Sequence, residues 1–314
     1  MHPKARYITA SIAGLLLAGT TLSTQAVATP APATPQPQAA PDINIDAVTA
    51  HLEEFQSIAD ANDGNRSAGT AGYAASADYV AHALTEAGYE VERQECGSCT
   101  SPDDNIIADW PGGDESTTIM LGAHLDGVAS GAGINDNATG SAATLEVALA
   151  LASENPDMAK HVRFGWWADE ESGLNGSADY VDNGGAEDVE AYLNFDMVGS
   201  PNAGYFVEGH DNEYGAPFAE YLESVSMATE PMQECCSDDL SFADAGVETV
   251  FLSTGAHAIK SEEQAEKWGG EAGEAYDPCY HSECDSFPDN VDTEALNHTS
   301  DSIAYAVWAL AVSA

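Results

Sequence analysis

TTIMLGAHLDGVASGAGINDNATG, residues 117–140, passes from one kind of patterning to another. Its start, Thr117 to Ala123, is a short apolar run of the sort a buried strand carries. The segment that follows from Gly140, GSAATLEVALALASEN, repeats apolar residues at helical spacing. The glycines between them punctuate a strand-to-helix loop. In α/β sheets the loops leaving the carboxyl ends of strands are where ligands bind, so His124, Asp126 and Asp136 occupy a place expected to hold something.

The alternation extends outward from this stretch. Helical spacing covers Asp46–Asn62 and Thr70–Gly88, the second segment closing on a glycine. Strands are expected at YEVERQE, NIIADW, HVRFGWWA, AYLNFDMV, GYFVE and ETVFLS, with helical stretches between most of them and a last helix over Thr293–Ser313. Strands alternating with helices predict a single α/β domain whose mixed, mainly parallel central sheet is flanked by helices on both faces.

The ends and the composition bound this domain. Residues 1–28 combine a basic start (Lys4, Arg6), the apolar IAGLLLAG and a small-residue ending, the pattern of a secretory signal peptide. Residues 29–41 read as a proline-rich linker or pro-segment, which leaves 42–314 as the folded domain. The formal charge of −45 makes nucleic acid a poor partner and predicts a salt-loving source, where molar salt screens the self-repulsion. No further segment approaches a membrane span; with the signal-peptide pattern a secreted protein is expected, and a monomer. Six cysteines in an exported chain permit three disulfides: Cys279 and Cys284 flank YHSE, Cys96 and Cys99 form CGSC, and Cys235 and Cys236 are adjacent. A zinc-thiolate reading of CGSC is the weaker alternative, since there is no second well-separated CxxC.

Several strand ends deliver acid or histidine: His124, Asp126 and Asp136, then Glu170 and Glu171 in WWADEES, Asp196 in LNFDM, and His281 in CYHSEC. Imidazole mixed with carboxylate suits zinc without thiolates. Two histidines and three carboxylates fit two ions, with Asp136 bridging. Asp126, two residues beyond His124, is placed to accept the other ring N–H of that histidine. In the Glu170–Glu171 pair, one carboxylate can bind metal while its neighbour takes a proton from water. A lone acid in a chain with 53 is ordinarily a solvated surface charge, but each of these follows an apolar run, where an unpaired charge is costly.

With these residues assembled, the chain resembles the M28 family of dinuclear zinc aminopeptidases, in its secreted Streptomyces-type branch. The likeness runs from Asp42 to the C-terminus through ADWPGGD, GAHLD, SGAGINDN, NFDM, KWGG, CYHSECDS and SDSIAYAVWAL. It implies His124 and Asp196 on one zinc, Glu171 and His281 on the other, Asp136 on both, Glu170 as general base and Tyr280 as donor to the oxyanion. The substrates implied are peptides with a free N-terminus and a large apolar first residue. The resemblance also implies a calcium ion held by Asp42, the Ile43 carbonyl, Asn297 and Asp301, although Asn297 stands where the family has an aspartate. Met197 is expected to line the substrate pocket, and Ser253 replaces an aromatic wall. CSDD (Cys236 to Asp239) replaces the family's RSDH. Competing expectations on the same fold are a carboxypeptidase, a one-metal glutaminyl cyclase and a non-catalytic relative, the last disfavoured by the intact base and ligands. The sequon at Asn137 is expected to stay unmodified, because a glycan there would crowd the metal site.

Overall fold

A computed structural model describes residues 39–232 and 236–313. The signal-peptide assignment and most of the proline-rich segment lie outside these residues. The folded part is an α/β domain built on one seven-stranded sheet in the order β1-β2-β4-β3-β5-β7-β6. The strands are β1 (Glu90–Glu95), β2 (Asp104–Asp109), β3 (Asp114–His124), β4 (Lys160–Trp167), β5 (Val189–Phe195), β6 (Phe206–Glu208) and β7 (Glu248–Ser253). The central strands β4, β3, β5 and β7 pair in parallel, whereas β1, β2 and β6 add antiparallel pairings at the two sides. The expected mixed sheet is therefore present, with its parallel part at the centre.

Both faces are covered because the central strands are apolar on both. Along β3, Ile119 and Leu121 face one core and Met120 the other; Trp166 and Trp167 of β4 divide the same way, as do Leu193 and Tyr192 of β5. This is the two-residue alternation of a strand acting on a continuous apolar run. The larger core receives α1 (Ile45–Ala61), α2 (Ala71–Ala87), α3 (Thr139–Glu154), α5 (Ala216–Ser224) and α8 (Thr293–Ala311). The smaller takes Tyr180 of α4 (Asn175–Asp182) and Phe242 of α6 (Asp239–Asp244), the latter stacked on Tyr192 at 3.9 Å. One further short helix, α7 (Glu262–Trp268), starts at a Ser261 capping box.

Local signals place the helix ends where the sequence suggests. The Thr70 hydroxyl accepts the Tyr73 N–H at the start of α2, and Gly88 closes that helix in the left-handed conformation. The strand β3 begins earlier than expected, at Asp114, because its first residues are an exposed polar extension with no apolar signature. Among the described residues no helix is long and apolar enough to cross a membrane.

Candidate metal centre

The parallel strands end on one edge, and the acids and histidines follow from it. His124 is the last residue of β3, Glu170 and Glu171 come three and four residues after β4, and Asp196 is the first residue after β5. Asp136 lies in the wide turn Ile134–Ala138 that leads into α3. His281 comes from the loop before α8, next to the Cys279–Cys284 disulfide. The loop Gly127–Gly133 docks against that segment: Ser130 donates to the His281 carbonyl at 3.1 Å. Gly131 has φ +131°, and a Cβ there would lie 2.5 Å from the Ser282 carbonyl oxygen, so only glycine fits.

The geometry divides these side chains into two groups joined by Asp136. Its Oδ1 lies 3.3 Å from His124 Nε2, which is 3.4 Å from Asp196 Oδ1. Its Oδ2 lies 3.0 Å from His281 Nε2, itself 3.0 Å from Glu171 Oε2. Glu170 Oε2 stands off at 4.0 Å from His124 Nε2. His124 Nε2, Glu171 Oε1 and Asp196 Oδ1 are buried without a hydrogen-bond partner among the described residues. Buried polar atoms are ordinarily paired, so these three unpartnered atoms, spread over two groups that share His124, fit cation-binding positions. The His124 Nδ1 atom faces the Asp126 carbonyl at 3.0 Å. A carbonyl only accepts, so Nδ1 carries the proton and the Nε2 lone pair points into the site.

The electrostatics point the same way. Burial would lower the His124 imidazole, but Asp196 and Glu170 override it and hold it well above its ordinary value. Hydrogen bonds to Asp136 and Glu171 raise His281 to about 10. Burial works against the Asp136 carboxylate, yet hydrogen bonds from both histidines bring it down to about 2. Burial pushes Glu171 up to about 7 and Glu170 well above the carboxylate range, with Asp238 and Asp196 adding to the rise in Glu170. Such an excess of buried negative charge is what a divalent ion neutralises.

Some supports were not legible in the residue pattern. Asp126 was expected to steady His124 through its carboxylate, but the nearer contact is its carbonyl, with the carboxylate at 3.6 Å. That carboxylate instead accepts the backbone N–H groups of Glu170 (3.1 Å) and Glu171 (3.4 Å), fixing the turn that carries both. Arg66 is wholly buried and donates to the carbonyls of Leu125, Ala132 and Gly133, so it holds both ends of the loop after His124; burial lowers it to about 10. The Asp285 carboxylate accepts the N–H groups of Asn135 and Asp136 at 2.8 and 3.1 Å. Asn137 donates to the Phe195 carbonyl and accepts the Met197 N–H, linking the Asp136 turn to the Asp196 strand end. A side chain engaged in this way has no room for a glycan. Asp238 is fully buried, and that burial pushes it up to about 7.

A cavity of about 270 Å³ opens over these groups, lined on its apolar side by Leu174, Met197, Met232 and Phe251. Ser253 and Met197, both expected in the pocket, line it; Cys236 lines it too, but Asp239 instead accepts the Ser237 N–H. Tyr280 also faces the cavity and stacks on His281 at 3.8 Å and His257 at 5.4 Å. Burial and the neighbouring acids Asp136, Asp196 and Glu171 raise its phenol, which therefore stays protonated and able to donate.

Disulfides join Cys279 to Cys284 and Cys96 to Cys99, so CGSC is not a thiolate metal site. Cys236 is also disulfide-bonded, and Cys235 lies outside the described residues. The calcium expectation meets a different arrangement. The Ile43 N–H, rather than its carbonyl, faces Asp301, donating to Oδ1 at 2.7 Å. Tyr221 and the Asn297 amide donate to Oδ2 at 3.0 and 3.2 Å. Both Asp301 oxygens thus accept donors from the chain, and Asp42 is exposed.

The fold is shared with a zinc aminopeptidase from Bacillus subtilis (TM-score 0.70, 18% identity, covering 86% of this chain and 96% of that one). It is shared equally with a glutaminyl cyclase from Bacteroides thetaiotaomicron (TM-score 0.69, 17% identity, covering 86% and 99%). Residues 105–307 match the model of peptidase family M28. The chain is 48% identical over 275 residues to leupeptin-inactivating enzyme 1 of Streptomyces exfoliatus, covering 86% of this chain and 63% of that protein. It is 42% identical over 225 residues to an aminopeptidase of Pseudomonas aeruginosa, covering 67% and 41%. The chain belongs to peptidase family M28. It spans less than two thirds of the length of these curated relatives.

Proposed function

We propose that this protein is a secreted aminopeptidase that uses two zinc ions to release large apolar residues from the free N-termini of peptides. The observation that carries the reading is Asp136, whose two oxygens address two separate His-carboxylate pairs, while Glu170, within reach of the His124–Asp196 pair, lies farther off at 4.0 Å from His124 Nε2. His124 and Asp196 would hold one ion, Glu171 and His281 the second, and Asp136 both. Zinc, when bound, supplies Lewis acidity toward the scissile carbonyl and makes water acidic enough to be deprotonated near neutral pH.

The chain's own groups do the rest. Glu170, which lines the cavity together with Tyr280, takes the proton of the attacking water and returns it to the departing amine. Tyr280 donates its phenolic hydrogen to the oxygen on which charge develops. Glu170 and Asp196 pair with the substrate ammonium, which selects a free N-terminus. Leu174, Met197, Met232 and Phe251 give the first side chain an apolar wall. Names of the relatives support the activity class, and the disulfides fit an exported protein. The acid excess fits work in molar salt.

A panel of aminoacyl chromogenic amides in molar salt, with metal analysis, tests this. Leucyl amide should be cleaved and N-acetyl-leucyl amide left intact. A chelator should abolish release and zinc restore it, at two zinc ions per chain. One tightly bound zinc, with cyclisation of N-terminal glutamine in place of amide release, would replace this reading with the cyclase.

A further inference from the structure

The loop between β1 and β2 is far from the metal ligands in sequence, yet it reaches the turn that carries two of the site's acids. Cys96 and Cys99 close it into a small ring. Just past the ring, the Thr100 N–H donates to Asp169 Oδ2 at 2.6 Å and the Thr100 hydroxyl to Asp169 Oδ1 at 2.9 Å. The Ser98 N–H donates to Asp179 of α4 at 2.9 Å, and the Ser98 hydroxyl to the Asn175 carbonyl at 3.3 Å. Asn175 in turn donates to Asp169 at 2.9 Å.

Asp169 is fully buried and its φ is +56°, in the left-handed region that a residue with a Cβ seldom occupies. It directly precedes Glu170. An orientation of this kind persists only where surrounding contacts enforce it; within the turn Ser172 and Asn175 bond the Asp169 carboxylate, and from outside it the two bonds come from Thr100. The turn is thus gripped from two directions: Asp126 holds the amides of Glu170 and Glu171, and the ring holds the carboxylate before them. Without the covalent closure, residues 96–102 are an irregular connection with no helix or strand of their own.

We infer that the disulfide-closed loop Cys96–Thr100 is a positioning element for the Glu170–Glu171 turn, acting through the two Thr100 hydrogen bonds to Asp169. This rests on the role proposed above for Glu170. None of its residues lines the cavity; it sets the direction in which the base is presented.

The test compares wild type with C96S/C99S, T100V and T100S in the full chain, loaded with zinc. kcat and KM on leucyl amide, zinc content and hydrogen exchange are measured. Small errors in placing a catalytic group cost rate steeply, so kcat of C96S/C99S should fall about ten-fold at near-constant KM and zinc content, and that of T100V about three-fold. T100S, which keeps both donors, should stay near wild type. Independently of activity, the amides of Gly173 and Leu174, which donate to the Glu170 carbonyl, should exchange faster in C96S/C99S and T100V. The Leu125 amide, bonded to the Trp167 carbonyl, should not change. If C96S/C99S does not fold, T100V against T100S carries the comparison. Wild-type kcat and exchange in both disrupting variants, or a kcat loss that follows lost zinc alone, would overturn the inference. A wild type that cleaves no amide with zinc bound would instead overturn the functional reading, while the exchange data still decide the loop's role.

Discussion

Two acid-bearing clusters of this molecule look alike in the sequence and differ in the structure. Around Asp136, carboxylates and imidazoles converge with their acceptor atoms inward, and three buried atoms have no partner among the described residues. Around Asp301, at the start of α1 and along α8, each carboxylate oxygen already receives a donor from the chain. The number of acids does not distinguish them. What distinguishes them is the hydrogen-bond balance: a cation site leaves lone pairs unmatched, and a self-sufficient cluster does not.

The largest effect expected on this comparison is the E170Q substitution. It removes the proton acceptor without touching the proposed ligand set, so kcat should fall by about 10³-fold with zinc content unchanged; loss of zinc in this variant would mean that Glu170 is a ligand. Next, D136N removes the group that links the two pairs, and metal analysis should find at most one zinc retained. R66A comes third. It leaves three buried carbonyls without their donor, and denaturant unfolding should show a loss of at least about 3 kcal/mol; R66K should recover part of it.

Smaller effects belong to the other cluster and to the sheet edge. Calcium should leave the wild-type melting temperature unchanged at fixed zinc. N297D, which replaces an amide donor with a charge, should make that temperature rise with calcium. Equal calcium responses in both proteins would restore the ion to the wild type. Finally, the His161 imidazole is raised by its 2.7 Å hydrogen bond to Asp109. A raised folded-state value means that the histidine's contribution is complete below about pH 6.5 and is lost as the pH climbs through the folded value. The melting-temperature gap between wild type and H161Q should therefore be widest in mild acid and narrow toward alkaline pH.

Much of this was readable along the chain. The central strands fall on apolar runs, whereas β1 (EVERQE) is mostly exposed and polar; the proposed ligands follow the central runs, because the parallel strands end on the same edge. What escaped depends on long-range partners. Arg66 sits in GNRSAG, an ordinary turn sequence; only its rarity in a chain with eight basic residues could have marked it. Asp126 was assigned to a neighbour two residues away, whereas its carboxylate serves residues 44 and 45 positions later. The three donors on Asp301 come from Ile43, Tyr221 and Asn297, two of them distant in the chain, so their meeting left no periodic trace. His257 and Met232 join the cavity through loops, where the spacing of residues carries no face.

The bond pair from Asp126 to consecutive amides has a bearing on how this site can change. The backbone, not the side chains, numbers the two glutamates: whichever residues occupy those two amide positions inherit the proposed duties of proton carrier and metal holder. Loss of one residue just upstream would advance Glu171 into the first role and leave Ser172 in the second. Length in this turn should thus be far less tolerant of variation than composition in the cavity wall, and new substrate preferences have an open route where new chemistry does not.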